Sequence, residues 1–140
     1  MNQNIWGPHM WFALHSISFT YPLHPTELDK KRYGKFIDLL QYVIPCSVCR
    51  KNFRRNLKEF PPNLNSRKAF VYWLIDIHNE VNSLTGKEHI SREKAIALYE
   101  KKYNTKIKLE DISLKNTFSI NIKYIVLAIV LILSYYLINN

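Results

Sequence analysis

The only two cysteines of this sequence fall in one short run, Cys46-Ser47-Val48-Cys49, directly after Pro45. A pair at this spacing can close a small disulfide. Pro45 stops the preceding helical pattern, so the pair opens a new helix. A helix N-terminus stabilises a thiolate through its free amides and its dipole, which tunes the pair for thiol–disulfide exchange. Arg50, Lys51, Arg54 and Arg55 either add positive potential nearby or form a solvated basic face. Other uses of the pair fit less well. A zinc site needs four ligands and one CxxC supplies two. No closely spaced histidine pair follows, and His9 and His15 lie on different helical faces. A thioredoxin-like fold needs strands around the motif, and no strand-like alternation is present. A purely structural disulfide suits a secreted domain. The opening MNQNIWGPHMW has neither the basic nor the apolar region of a secretion signal.

Helical spacing distinguishes the two sulfurs. Cys49, Phe53, Leu57 and Phe60 form one stripe, so Cys49 is expected to point at the core. Cys46 is expected at the helix entrance, off that stripe and nearer solvent. An outer cysteine can meet a substrate, and an inner one can meet a buried cofactor.

Two further clusters have the character of cofactor walls. Gly7, Trp11 and His15 recur every four residues and share a helical face. Gly7 permits close approach, Trp11 offers a ring face and His15 a polar edge. Further on, His78 and Asn82 flank an apolar stripe, with Asn79, Lys87 and His89 close by. Singly, such residues are ordinary core or surface groups. Beside a redox CxxC they suggest a ligand that stacks, accepts hydrogen bonds and carries phosphate. A flavin dinucleotide fits that description.

The elements that must position these groups are helical. A first helix is expected over about Pro8 to Thr20, with proline at a favoured early position. Thr26 and Asp29 form a capping-box pattern for a second, to about Ile44, with the stripe Tyr33, Phe36, Ile37, Leu40 and Ile44. The third spans Cys46 to about Phe60, before Pro61-Pro62. Ser66 caps a fourth, with the stripe Phe70, Leu74, Ile77, Val81 and Leu84 and a stop at Gly86. Ser91 opens a short fifth, through about Tyr103. The expected fold is all-α: a four-helix bundle with a short fifth helix, followed by a C-terminal transmembrane helix.

That last element rests on the tail. Apolar residues make up 47% of the chain, and from Tyr124 to Ile138 no charge interrupts them. A bilayer span needs roughly 20 such residues, and Lys123 can snorkel. The expected organisation is therefore a domain over 1–103, a polar linker over 104–117 and an anchor over 118–138. Lys106, Lys108, Lys115 and Lys123 precede the anchor, so the domain is expected to face the cytosol from a single-pass position in a virion or host membrane. The net charge of +9 raises the question of nucleic acid. No nucleic-acid motif accompanies the scattered cations, and attraction to anionic lipid is the simpler use.

With these residues in view, the chain resembles the Erv/ALR family of FAD-linked sulfhydryl oxidases. The matching blocks are Trp6-Gly7-Pro8-His9-Met10-Trp11-Phe12-Ala13-Leu14-His15, Tyr21-Pro22, Pro45-Cys46-Ser47-Val48-Cys49, and His78-Asn79-Glu80-Val81-Asn82 through Gly86-Lys87. They cover roughly residues 6–103, and the short form looks like members encoded by large cytoplasmic DNA viruses. The resemblance implies a helical bundle with FAD at its mouth, and a homodimer. It implies FAD contacts from Trp11, His15, Tyr21, Cys49, His78, Asn79, Asn82 and Lys87, and from Gly7, Pro8 and Val81 within the same blocks. Cys49 would be the flavin-proximal thiol and Cys46 the interchange thiol. Some relatives have arginine where Pro8 stands. Many carry a second, structural disulfide near the fourth and fifth helices, where this chain has Ile75 and Arg92.

The expected activity is thiol oxidation on a thioredoxin- or glutaredoxin-like dithiol protein, with FAD as cofactor, oxygen as acceptor, hydrogen peroxide as product and no metal. The competing class is a non-enzymatic, tail-anchored helical adapter whose CxxC helps hold zinc.

Overall fold

The structure is a computed structural model that describes residues 2–110, 122 and 124–134. Its elements in chain order are α1 (Gln3–Phe19), α2 (Glu27–Val43), α3 (Ser47–Glu59), α4 (Arg67–Leu84) and α5 (Arg92–Tyr103). No strand occurs among the described residues. The chain divides into two compact units, Met1–Leu109 and Glu110–Asn140.

Local chemistry sets most helix ends. Thr26 and Asp29 form the full capping box at α2, each side chain accepting the other's backbone N–H. Ser66 caps α4 and Ser91 caps α5 through their hydroxyls. Gly86 follows α4 with φ of 70°, a left-handed conformation that costs glycine little. The start of α1 departs from expectation. The helix begins at Gln3, capped by Asn2, whose side chain accepts the Asn4 N–H at 2.9 Å, and Pro8 lies inside it. Pro8 has no N–H for the Asn4 carbonyl, yet the helix continues across that missing bond.

α4 is the central element. It packs against α1 on one side and α5 on the other, while α2 packs against α3. Phe70, Val71, Trp73, Leu74, Ile75 and Ile77 bury most of its circumference in mid-helix. The main core joins Leu14, Tyr21, Ile37, Leu40, Ile44, Phe53, Phe70, Trp73, Leu74 and Ile77. A second cluster joins Phe19, Val71, Ile75 and Ala95, with Ile107 and Leu109 packed against it. Two expected stripe positions, Phe60 and Leu84, are exposed. Phe60 is the α3 C-cap with φ of −127°, so it has left the helical phase that carried Phe53 and Leu57 inward.

The expected transmembrane helix is corrected. Among the described residues, no helix is long and apolar enough to cross a membrane. The described part of 118–138 is helical at Ile122 and over 124–134. The rest of 118–138, and residues 111–117 of the expected linker, lie outside the described residues.

Candidate active site

Cys46 and Cys49 are joined in a disulfide, with their Cα atoms 5.1 Å apart. Cys46 is itself the N-cap of α3, and its Sγ accepts the Cys49 N–H at 3.1 Å. The sulfur thus does the capping work usually done by a serine or aspartate oxygen. The turn before it is tight, with the Cys46 N–H donating to the Ile44 carbonyl at 2.7 Å. Two of the basic residues hold this turn. Arg50 donates to the Ile44 carbonyl at 2.7 Å, and Arg54 donates to Gln41 Oε1 at 2.9 Å. Both cysteines are half-buried and both pack against the main core. The expected contrast between an exposed Cys46 and an inward Cys49 is not a contrast of burial. It is a contrast of position: Cys46 caps the helix, and Cys49 lies one turn closer to buried Phe53.

The early start of α1 matters here. Gln3 Oε1 lies 3.4 Å from Cys49 Sγ. Gln3, Gly7, Trp11 and His15 recur every four residues, so one face of α1 runs from the disulfide to the aromatic cluster. From Gln3 to Trp11 it spans about 12 Å. A side chain added at Gly7 would meet nothing within 4 Å, so the space over this face is open.

At the far end of that face, Trp11 stacks on His78 with ring centroids 4.0 Å apart and planes at 7°. His15 Nε2 lies 3.1 Å from His78 Nδ1. His15 is buried against Phe19 and Tyr99, with ring centroids at 6.2 and 5.1 Å. Burial lowers the His15 pKa to about 3, and His78 adds to the effect. Burial also lowers His78 to about 4, helped by the charge of Lys87. Both rings are neutral at pH 7.

The other expected site residues have more mixed placements. Asn79 spends both ends of its amide on Ile90, donating to its carbonyl at 2.9 Å and accepting its N–H at 3.0 Å. The Asn82 carbonyl accepts the Lys87 N–H at 2.9 Å, closing the turn through Gly86. Asn79 and Asn82 therefore shape the loop that carries exposed Lys87. Val81 is half-buried and Pro8 is exposed. Tyr21 is fully buried, and its hydroxyl donates to the Leu64 carbonyl at 2.9 Å. It serves the core, between Tyr33 and Phe70. Gln3, Trp6 and Tyr99 belong to the neighbourhood but were not expected there. The i, i+4 repeat extended back from Gly7 would have found Gln3.

The residues fit a flat, polar-edged cofactor. Among the described residues, His15 Nδ1 and Trp6 Nε1 are buried without a hydrogen-bond partner, and buried polar atoms of this kind call for a partner. The open face at Gly7, the Trp11–His78 stack and the Lys87 cation supply contact, ring surface and charge. Among the described residues, no group of three or more His, Cys, Asp or Glu side chains could hold a metal ion.

An all-helical domain with a disulfide at one helix N-cap, beside a helix face that carries a stacked Trp–His wall, has the parts expected of a helical thiol–disulfide redox protein. The chain belongs to the Erv1 / Alr family, whose pattern matches residues 8–104. It is 40% identical over 111 residues to "Probable FAD-linked sulfhydryl oxidase R368" of Acanthamoeba polyphaga mimivirus, covering 77% of this chain and 78% of that one. It is 33% identical over 76 residues to "Mitochondrial FAD-linked sulfhydryl oxidase ERV1" of Saccharomyces cerevisiae, covering 54% of this chain and 40% of that one. The crystal structure of the FAD binding domain of Erv1 from Saccharomyces cerevisiae aligns with a TM-score of 0.66 and 29% identity, over 72% of this chain and 92% of that chain.

Proposed function

We propose that this FAD-linked sulfhydryl oxidase makes disulfides in dithiol proteins, with Cys46 and Cys49 as its redox pair and hydrogen peroxide as its product. The observation that carries this reading is the disulfide at the α3 N-cap, in contact through Gln3 with the α1 face that bears Trp11.

A substrate thiolate attacks Cys46 Sγ; the Cys46–Cys49 bond breaks and Cys49 leaves as a thiolate. The second substrate thiolate then attacks the substrate sulfur of the mixed disulfide. The substrate leaves oxidised, and Cys46 is released as a thiolate. Both leaving sulfurs lie at a helix N-terminus, and the Cys49 N–H already donates to Cys46 Sγ, which stabilises the released anion. The electron pair now resides on the Cys46–Cys49 dithiol. The chemistry FAD supplies when bound is acceptance of that pair and its delivery to molecular oxygen. Gly7, Trp11, His15, His78 and Lys87 would hold it, with Val81, Asn79 and Asn82 shaping the adjoining wall.

The full chain purified from an expression host tests this reading. It is expected to be yellow, to oxidise dithiothreitol, and to consume one oxygen for each peroxide formed. A folded, colourless protein that gains neither colour nor activity from added FAD would overturn it.

A further inference from the structure

One face of α3 begins between the two cysteines and is cationic. Val48, Lys51, Arg55 and Lys58 recur at helical spacing and share that face, which Glu59 closes. All four are exposed, Val48 at 65%. The other two basic residues of α3 are accounted for by folding, since Arg50 and Arg54 tie the helix to Ile44 and Gln41. No such account covers the outward three. Among the described residues, no ion pair uses Lys51, Arg55 or Lys58. Lys51 lies barely beyond the first turn, where the helix dipole opposes a cation. An exposed apolar residue beside the reacting sulfurs, continued by unpaired cations, has the make-up of an interface centre with a charged rim.

We propose that this face docks the protein substrate, and that the substrate presents carboxylates beside its cysteine pair. The proposal rests on the oxidase reading above and adds the chemistry of the partner. Val48 lies between Cys46 and Cys49 in the chain, so a group seated on it is held beside the sulfurs that a thiol donor must reach. A second copy of this chain is a poor occupant, because its net charge of +9 repels a cationic face. Complementary charge of this kind speeds encounter and selects among partners more than it adds final affinity.

The test uses the full chain and two reduced CxxC peptides, one flanked by glutamates and one by glutamines. At low ionic strength the glutamate peptide is expected to show kcat/KM about tenfold higher. The advantage should fade as the screening length falls from about 30 Å at 0.01 M salt to about 3 Å at 1 M. The combined variant Lys51→Gln/Arg55→Gln/Lys58→Gln should lose the preference. A charge-matched control, Lys31→Gln/Lys94→Gln/Lys101→Gln, should keep it. Serine-for-cysteine versions of both peptides, labelled for fluorescence anisotropy, should bind with the same preference and the same losses. Equal treatment of the two peptides, or equal loss in both variants, overturns the proposal. So does an α3 variant that loses only binding to anionic vesicles or RNA while peptide preference stays. Dithiothreitol oxidation by the same preparations reports on the oxidase reading, and the anisotropy arm reports on the surface whether or not turnover occurs.

Discussion

His15 Nε2 faces His78 Nδ1 at 3.1 Å, and the opposite nitrogen of His15, Nδ1, is buried without a partner. Both rings are neutral, so only one of them donates across this contact. Whichever ring donates, the shared proton ties the tautomer of His78 to that of His15, so His15 acts as a positioning residue for the ring that stacks on Trp11.

Acid stability follows from this pair. Each histidine titrates near 6.5 when unfolded, and at about 3 and about 4 when folded. Between those limits the unfolded chain binds more protons, so stability is full above pH 6.5 and falls as pH drops toward 4. The melting temperature is expected to decline between pH 7 and pH 5. His15→Gln keeps an amide in reach of His78 and has nothing to titrate, so its decline should be shallower. An identical slope in both proteins would refute the assignment.

The cysteine assignment yields a second prediction. Turnover needs both sulfurs, so Cys46→Ser and Cys49→Ser should each lose at least about a thousandfold, as losses of paired catalytic groups do. They should fail differently. Cys49→Ser leaves Cys46 to be caught as a mixed disulfide with a dithiol protein, visible on a non-reducing gel. Cys46→Ser should accumulate much less of it. Because both cysteines are half-buried, trapping mainly by Cys49 would reverse the roles and leave the oxidase reading intact.

A third prediction concerns the α4–α5 junction, where the family resemblance implies a structural disulfide and this chain has Ile75 and Arg92. Ile75 is 1% exposed and packs with Phe19, Val71 and Ala95. Arg92 meets Asp76 at 3.0 and 2.5 Å and covers the Tyr72 ring, but both charged side chains are about half exposed. Packing should therefore carry the junction. Ile75→Ala is expected to cost about 2–5 kcal/mol, and Arg92→Ala about 0–1 kcal/mol, by urea unfolding with FAD held in excess. A larger loss from Arg92→Ala would assign the junction to the ion pair.

What the sequence made legible was what local chemistry decides. Thr26 with Asp29, Ser66, Ser91 and Gly86 each act within a turn of themselves, and each marked a helix end that the structure has. Trp11, His15 and His78 could be nominated from their type and spacing. Their pairing could not, since His15 and His78 are 63 residues apart and meet only because α1 packs on α4. Pro8 misled because proline favours a first turn, while the Asn2 cap, set by a single side chain, starts the helix earlier. The tail misled because its apolar composition named a spanning helix, and no helix among the described residues is long and apolar enough to be one.

Tyr21 separates a core role from a cofactor role. The family resemblance implies that it contacts FAD, yet it is fully buried and its hydroxyl donates to the Leu64 carbonyl at 2.9 Å. Burial raises its pKa to about 12, with Asp29, Tyr33 and Glu27 adding to the shift, so the phenol remains a donor at any working pH. Tyr21→Phe removes the donor of this part-buried hydrogen bond, at a cost of about 0.5–1.5 kcal/mol. FAD affinity should stay near wild type in Tyr21→Phe, whereas His78→Ala, which removes the stacked ring, should weaken it. The two effects are read independently, by urea midpoint and by FAD titration of the stripped protein. If Tyr21→Phe weakened FAD binding with no loss of stability, the hydroxyl would belong to the cofactor and its bond to Leu64 would be incidental.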